Sequence, residues 1–354
     1  MPGLDLFNTY YMAGLVENSP RPRKFFLDRY FSESETFTTD KVLFEHEEGD
    51  LNIVPFIAAS VGDIPVDRNG YSVYEFAPPL IAPSRLITLD DLSKRGFGEA
   101  IFGGSTPAER AKKLHQKDLV NLSDRITRRE ELMAVETMIN NGVDVQEYID
   151  EKTVGKVIPI RYYDTAAGNP GIYTVSGVWT GYDAMCADIE AMCDSLAEND
   201  QPATDLVIGT DVWATMRQFA ELKEILDNRR IDMGFVKPEE VAPGVTKVAE
   251  LNFGGYVLSV FVPKEKYRDA SGNIQNVFPT KSVLVTAPNC GKRYYGAVTQ
   301  IPYGSSIQET VEGERIPKLV VDQNKDIRKL RVASRPLTAP KTASPWRYAA
   351  NVVN

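Results

Sequence analysis

Histidine and cysteine are scarce in this chain, with two and three copies in 354 residues. So few cysteines argue against a disulfide scaffold and fit a reducing cytoplasm. Long apolar runs are also missing. The longest, near Ile53 to Val61 and Tyr256 to Pro263, are far too short to span a bilayer. Basic excess is absent as well: 40 Lys and Arg against 49 Asp and Glu leave −9. That balance argues against a protein whose main task is gripping nucleic-acid phosphates. The opening Met1-Pro2-Gly3-Leu4-Asp5 has no basic segment followed by an apolar core, so no secretory signal is expected. What remains is an ordinary globular balance, 43% hydrophobic and 25% charged. At about 150 residues per domain the length suggests two domains or one large elaborated one.

The catalytic inventory is correspondingly thin. His46 sits in Glu45-His46-Glu47-Glu48 with no second histidine nearby, which reads as a solvated acidic turn and not a metal site. His115 lies in a helical stretch among lysines and reads as a surface or half-buried residue. Cys186 and Cys193 fall on one helix face about 10 Å apart along the axis, too far for a disulfide. Cys290 lies in a loop without a prepared base. The stretch Gly98, Gly103, Gly104, Ser105 mimics a phosphate loop, but Gly104 stands where the lysine belongs and no strand precedes it. It reads as a loop leading into the capping box Thr106-Pro107-Ala108-Glu109. No catalytic residue, metal ligand or cofactor site is expected.

Along the chain, residues 1 to 36 carry prolines at 2, 20 and 22 and scattered aromatics, and read as an arm that docks on something else. Residues 37 to 89 are β-rich around the hairpin signal Asp67-Arg68-Asn69-Gly70, with Tyr71 opening the return strand. Residues 106 to 141 read as a long helix with a break near Gln116. Leu122, Ile126 and Met133 lie on its apolar face, Arg125, Arg128, Arg129, Glu130, Glu131 and Glu136 on its polar side, and Gly142 is its stop. Strands are expected near 154–163, 172–178, 205–209, 247–251, 255–262, 282–287, 318–321, 327–333 and 346–353, and helices at 182–198 and 212–229.

The segment Phe26-Leu27-Asp28-Arg29-Tyr30-Phe31, continuing through Phe37-Thr38-Thr39-Asp40-Lys41-Val42, resembles the start of the lambda-type phage major capsid protein (protein E) family. Tyr71 to Pro79, Arg128-Arg129-Glu130-Glu131-Leu132 with Gly142, Asp205 to Gly209 and Gly255 to Val262 resemble later pieces of that family in the same order. The resemblance implies an α+β, Hong Kong 97-type phage capsid fold. Its parts would be an N-terminal arm (1–36), an E-loop β-hairpin (37–89), a P-domain with a long spine helix (90–165), a mixed α/β A-domain (166–300), and returning P-domain strands with a C-terminal strand (301–354). It further implies hexamers and pentamers of an icosahedral shell in the virion, assembled in the host cytoplasm. The partners would be a portal, a scaffold or protease, a decoration protein, and packaged double-stranded DNA bound without sequence specificity. No membrane partner is expected. Some relatives cross-link an E-loop lysine to a neighbour's asparagine. Here Lys41, near the hairpin base, is the sole lysine between Phe37 and Thr88, so no such bond is expected.

Assembly contacts are expected at Phe25, Phe26, Tyr30 and Phe31, buried against a neighbouring subunit, and at the hairpin tip. Residues 37 to 88 hold eight acids and three bases, or −5; residues 312 to 341 hold eight bases and four acids, or +4. The tip residues Asp67, Arg68, Asn69, Gly70 and Tyr71 should therefore lie over a neighbour's Arg315, Lys318, Lys325, Arg328 and Lys329. Two rival readings are an encapsulin-type compartment, against which the Phe-Thr-Thr segment speaks, and a carboxylate-based hydrolase using Asp90, Asp91, Glu239 or Glu240. Adjacent acids point to opposite sides of a strand, which weakens the latter.

Overall fold

The computed structural model describes residues 12, 24–39, 41–47, 71–87, 107–148, 154–227, 234–235, 239–269, 271–302, 306–322 and 327–354. The apolar runs of the second half form one seven-stranded sheet. Its order is Arg347–Ala349, Val283–Thr286, Asp205–Ile208, Tyr256–Pro263, Val245–Phe253, Gly234–Phe235, with Glu239–Ala242 also paired to Val245–Phe253. Both faces are covered, which is why its central strands read as continuous apolar runs. Alternation still sends neighbours to opposite layers. Leu206, Ile208, Leu258 and Val260 meet Met185, Ile189, Met192 and Leu196 of helix Tyr182–Ala197. Val207, Phe261 and Leu284 meet a second layer instead.

That second layer is the arm. Its short helix Phe25–Tyr30 lies beside Ala134, Val135 and Met138 of the long spine helix Pro107–Asn140. Phe25 packs on Phe261 at 5.1 Å between ring centroids, Phe26 stacks on Phe278 at 6.0 Å, and Phe31 meets Trp346 at 6.2 Å. The expectation that Phe25, Phe26, Tyr30 and Phe31 need a neighbouring subunit is therefore corrected: all four are at most 2% exposed within their own chain. The arm has no core of its own only because the surfaces it covers are supplied far later in the sequence.

The spine helix is continuous, with no break at Gln116. Leu119, Leu122 and Ile126 pack on Ile87, Leu319, Leu330 and Val332, the inner face of a three-stranded sheet made by Ile316–Asp322, Ile327–Ala333 and Ser84–Ile87; Met12 joins this core. Arg125 and Arg128 are exposed. Glu130 and Glu131, expected on the polar side, are each 1% exposed. The helix stop is Asn141, at φ 47°. Gly142 serves another need: a Cβ there would lie 2.2 Å from the Ile160 carbonyl oxygen, so it permits the close pairing of Gly142–Tyr148 with Val154–Arg161.

A further sheet places Gly291–Gly296 between the parallel arm strand Glu33–Phe37 and the antiparallel Pro336–Pro340. Other expectations change. Residues 172–178 form no strand; they run over the C-terminal segment, where Tyr173 N–H donates to the Tyr348 carbonyl and Trp179 N–H to that of Val352, both at 2.8 Å. The expected helix 212–229 is two, Thr210–Met216 and Ala220–Asp227. The C-terminal strand Arg347–Ala349 joins the large sheet beside Val283–Thr286. Among the described residues no helix is long and apolar enough to cross a membrane.

Leu122 and Ile126 are 1% and 0% exposed, so Leu122→Ala or Ile126→Ala should each cost about 2–5 kcal/mol of unfolding free energy. Chemical denaturation of the subunit measures this directly.

Candidate assembly surfaces

The arm is held by charge as well as by rings. Glu131 Oε1 and Oε2 each accept a backbone N–H of the arm helix's first turn, from Phe26 and Leu27, at 3.0 Å. A spine-helix carboxylate thus caps a second helix, supplying acceptors its own Lys24 position does not. Burial pushes the Glu131 carboxyl up to about 7, and the two backbone bonds and the Lys24 charge pull the other way. At the other end of the arm helix, Arg29 forms a two-point contact with Asp205, including Nη2 to Oδ1 at 2.8 Å, while the Tyr30 hydroxyl donates to Oδ2 at 3.1 Å. The Arg29 guanidinium also lies 4.5 Å over the Phe261 ring. Lys24 pairs with Glu265.

Glu130 faces the opposite way. Arg315 donates to both of its carboxylate oxygens at 2.7 and 2.6 Å, to Thr127 Oγ1 at 3.1 Å and to Ser334 Oγ at 3.3 Å. Both side chains of this bidentate pair are 2% exposed. Burial disfavours the guanidinium charge, yet the Glu130 charge and hydrogen bonds raise the Arg315 pKa above its usual value. Arg315 is thereby removed from the basic assembly surface to which it was assigned: it anchors the three-stranded sheet to the spine helix.

The remaining basic residues divide between the two faces of that sheet. Arg328 alternates with Leu330 toward the spine helix and lies near His115, whose pKa is lowered by burial and then by the Arg328 charge. Lys329 points outward. The register places it between Leu86 and Val320, which are 57% and 41% exposed. Lys318 and Arg331 pair in the next outward row, with Arg331 donating to Gln300 at 3.2 Å. Farther along the same face, Ile316 and Ala333 are covered by Val298 and Val311. The outer face is thus partly sheathed and partly open, and the open part mixes aliphatic and cationic side chains.

The expected hairpin exists at its base. Val42–Glu47 pairs antiparallel with Tyr71–Phe76, from Val42 opposite Phe76 to Glu47 opposite Tyr71. Phe76 makes an edge-to-face contact with Tyr162 at 5.3 Å, fixing the base to the body. Asp67, Arg68, Asn69, Gly70 and Lys325 lie outside the described residues, as do Asp90 and Asp91. Glu239 and Glu240 are exposed on an edge strand. Sequence reasoning missed Glu130, Glu131 and Asp205. One signal was available: Glu130 follows Ile126 by four residues and Leu122 by eight, so its spacing continues the buried stripe.

The folded Glu131 carboxyl, near 7, binds its proton more tightly than the unfolded one near 4.5. Its contribution is most favourable at and below pH 4.5 and is lost as pH rises through 7, by about 3 kcal/mol at full charge. Glu131→Gln should therefore gain stability relative to the parent chain between pH 5 and 8. Denaturant midpoints of both chains across that range measure the difference.

Comparison with known proteins bears on the whole chain. A family model described as phage major capsid protein E matches residues 8–350. The major capsid protein of Escherichia phage N15 is 22% identical over 240 residues, and that of Escherichia phage lambda 24% over 227. These matches cover 63% and 62% of this chain, and the chain spans just under two thirds of each relative, 65% and 64%. The P21 prophage-derived major head protein of Escherichia coli O6:H1 (strain CFT073) is 24% identical over 324 residues, 89% of this chain and 90% of that one. A crystal structure assigned to a prophage capsid protein of E. coli CFT073 superposes with a TM-score of 0.65 at 16% identity, covering 97% of this chain and 98% of the other. A phage-related protein from Bordetella bronchiseptica RB50 superposes with a TM-score of 0.53 at 10% identity, covering 98% of both chains.

Proposed function

Because the chain belongs to the phage major capsid protein E family, we propose that it is the major capsid subunit of a tailed phage, building hexamers and pentamers of an icosahedral shell around DNA. Its fold is α+β of the Hong Kong 97 type. The observation that carries the reading is the family match across residues 8–350. The family implies a structural role, in which function resides in contacts between copies and not in a pocket. An acidic total of −9 suits a lining along which packaged DNA slides without adhering. Portal, scaffold or protease would be partners in the infected cell's cytoplasm, and the finished location is the virion.

The hairpin supplies the first contact between copies. A two-stranded ribbon has little stability alone; among the described residues Phe76, against Tyr162, ties this one to its own body. Its excursion carries −5. The open outer face of the three-stranded sheet offers Lys318 and Lys329 beside exposed Leu86 and Val320, a match in both charge and apolar character. One subunit's hairpin would lie across this face of its neighbour, with charge setting register and encounter rate more than final affinity.

Expressed alone or with its scaffold, the protein should elute as a large particle and appear as shells in negative stain. Replacing Asn69-Gly70 with β-branched residues disfavours the φ > 0 turn expected of an Asn-Gly pair and should impair assembly while leaving the subunit folded. Lys329→Glu should slow assembly in light-scattering kinetics, as should high salt. Shells with the hairpin folded back on its own subunit, or kinetics indifferent to salt and to both changes, would overturn this contact.

A further inference from the structure

The acid excess is not spread over the molecule. Residues 162–216 hold nine acidic residues and no lysine or arginine, so this segment alone carries −9 and the remaining 40 acids and 40 bases cancel. Four of the nine, Asp183, Asp188, Glu190 and Asp194, lie on helix Tyr182–Ala197, whose inner face packs on the large sheet through Met185, Ile189, Met192 and Leu196; Asp188 is buried and accepts the Trp179 Nε1–H at 2.7 Å. Its outer face presents exposed Asp183, Ala187 and Asp194 with half-buried Glu190 and Ala191 between them. This is a low, acidic surface without large side chains, on which another surface can close without displacing anything.

The helix sits at one end of the hairpin formed by Val245–Phe253 and Tyr256–Pro263. A Cβ on Gly254, in that hairpin's turn, would lie 2.6 Å from the Glu190 carboxyl carbon, and the Tyr256 hydroxyl donates to Asp194 at 2.8 Å. The other end of the same strand leads at Pro263 into a small ribbon, Lys266–Arg268 paired with Ile274–Asn276. Seven residues at about 3.3 Å each separate the two ends by roughly 23 Å. Lys264, Lys266 and Arg268 are all exposed, and their period of two puts them on one side of the chain. The two acids of this segment are already engaged: Glu265 pairs with Lys24, and Asp269 accepts the Asn273 N–H at 2.8 Å. Exposed Ile274, at 63%, supplies an apolar contact in the paired strand.

An acidic face and a basic ribbon at opposite ends of one domain cannot meet within a chain, but they can meet between successive copies. A head-to-tail contact of this kind closes into a ring when the rotation permits. We infer that the Lys264, Lys266, Arg268 ribbon of one copy docks on the Asp183–Asp194 helix face of the next, and that this contact closes the hexameric and pentameric rings. The inference rests on the proposed shell function and adds a specific surface to it.

Charge exchange tests it. Lys264→Glu with Lys266→Glu, and separately Asp183→Lys with Asp194→Lys, should each reduce ring formation at least tenfold in size-exclusion chromatography or mass photometry at low salt, while circular dichroism shows each variant still folded. The four substitutions combined restore opposite charges and should restore rings. Mixing the two double variants should also give six-membered rings, since alternating copies then set an acidic ribbon on a basic helix face and a basic ribbon on an acidic one. Wild-type rings alongside unaffected double variants, or no recovery in either the combined chain or the mixture, would overturn this contact alone. A wild-type chain that forms neither rings nor shells would overturn the proposed function and this inference with it.

Discussion

Two adjacent carboxylates on the spine helix decide how the parts of this molecule are joined. Neighbours on a helix point about 100° apart, so Glu130 and Glu131 address different partners from the same place. Glu130 grips Arg315 and through it the three-stranded sheet; Glu131 grips the first turn of the arm helix. Both are buried, and a buried charge is tolerable only when paired or hydrogen-bonded. Removing either partner would leave its carboxylate uncompensated, so arm, spine and sheet are mutually dependent. The same helix adds Leu122 and Ile126 on one side and Ala134, Val135 and Met138 on the other. It is thereby the shared wall of two cores.

Much of this organisation was legible in the sequence, and the failures have a common cause. Period-two and helical patterns located the paired strands Val42–Glu47 and Tyr71–Phe76, the spine helix and most strands of the large sheet, because such patterns report local burial. The partner of a buried charge or ring is a different matter. Glu131 meets residues 105 and 104 positions earlier, and Arg315 reaches back 185 to Glu130. A carboxylate on a helix looks the same in sequence whether water or a distant arginine satisfies it. Phe25, Phe26, Tyr30 and Phe31 were read as needing a neighbour for the same reason. Gly142 shows a subtler version: glycine was rightly singled out, but a close backbone approach requires it, while Asn141 takes the left-handed turn.

The candidate surfaces follow the same division. Net charge could be summed over segments from sequence, and the acidic hairpin and basic late segment emerged that way. Which cations are free to meet a partner could not. Strand pairing sends Lys329 outward and Arg328 inward, although they are adjacent, and Arg315 is consumed inside. A surface for assembly is what remains after internal pairing has been satisfied.

The arm strand Glu33–Phe37 has one further consequence, concerning the order of events during synthesis. It pairs with Gly291–Gly296, which in turn pairs with Pro336–Pro340, and the arm helix lies over strands completed only at residues 263 and 286. The arm therefore has no seat until segments far later in the sequence have been made. Contacts this distant in sequence make folding slow. Until those segments are in place, Phe25, Phe26, Tyr30 and Phe31 have no apolar surface of their own chain to cover them.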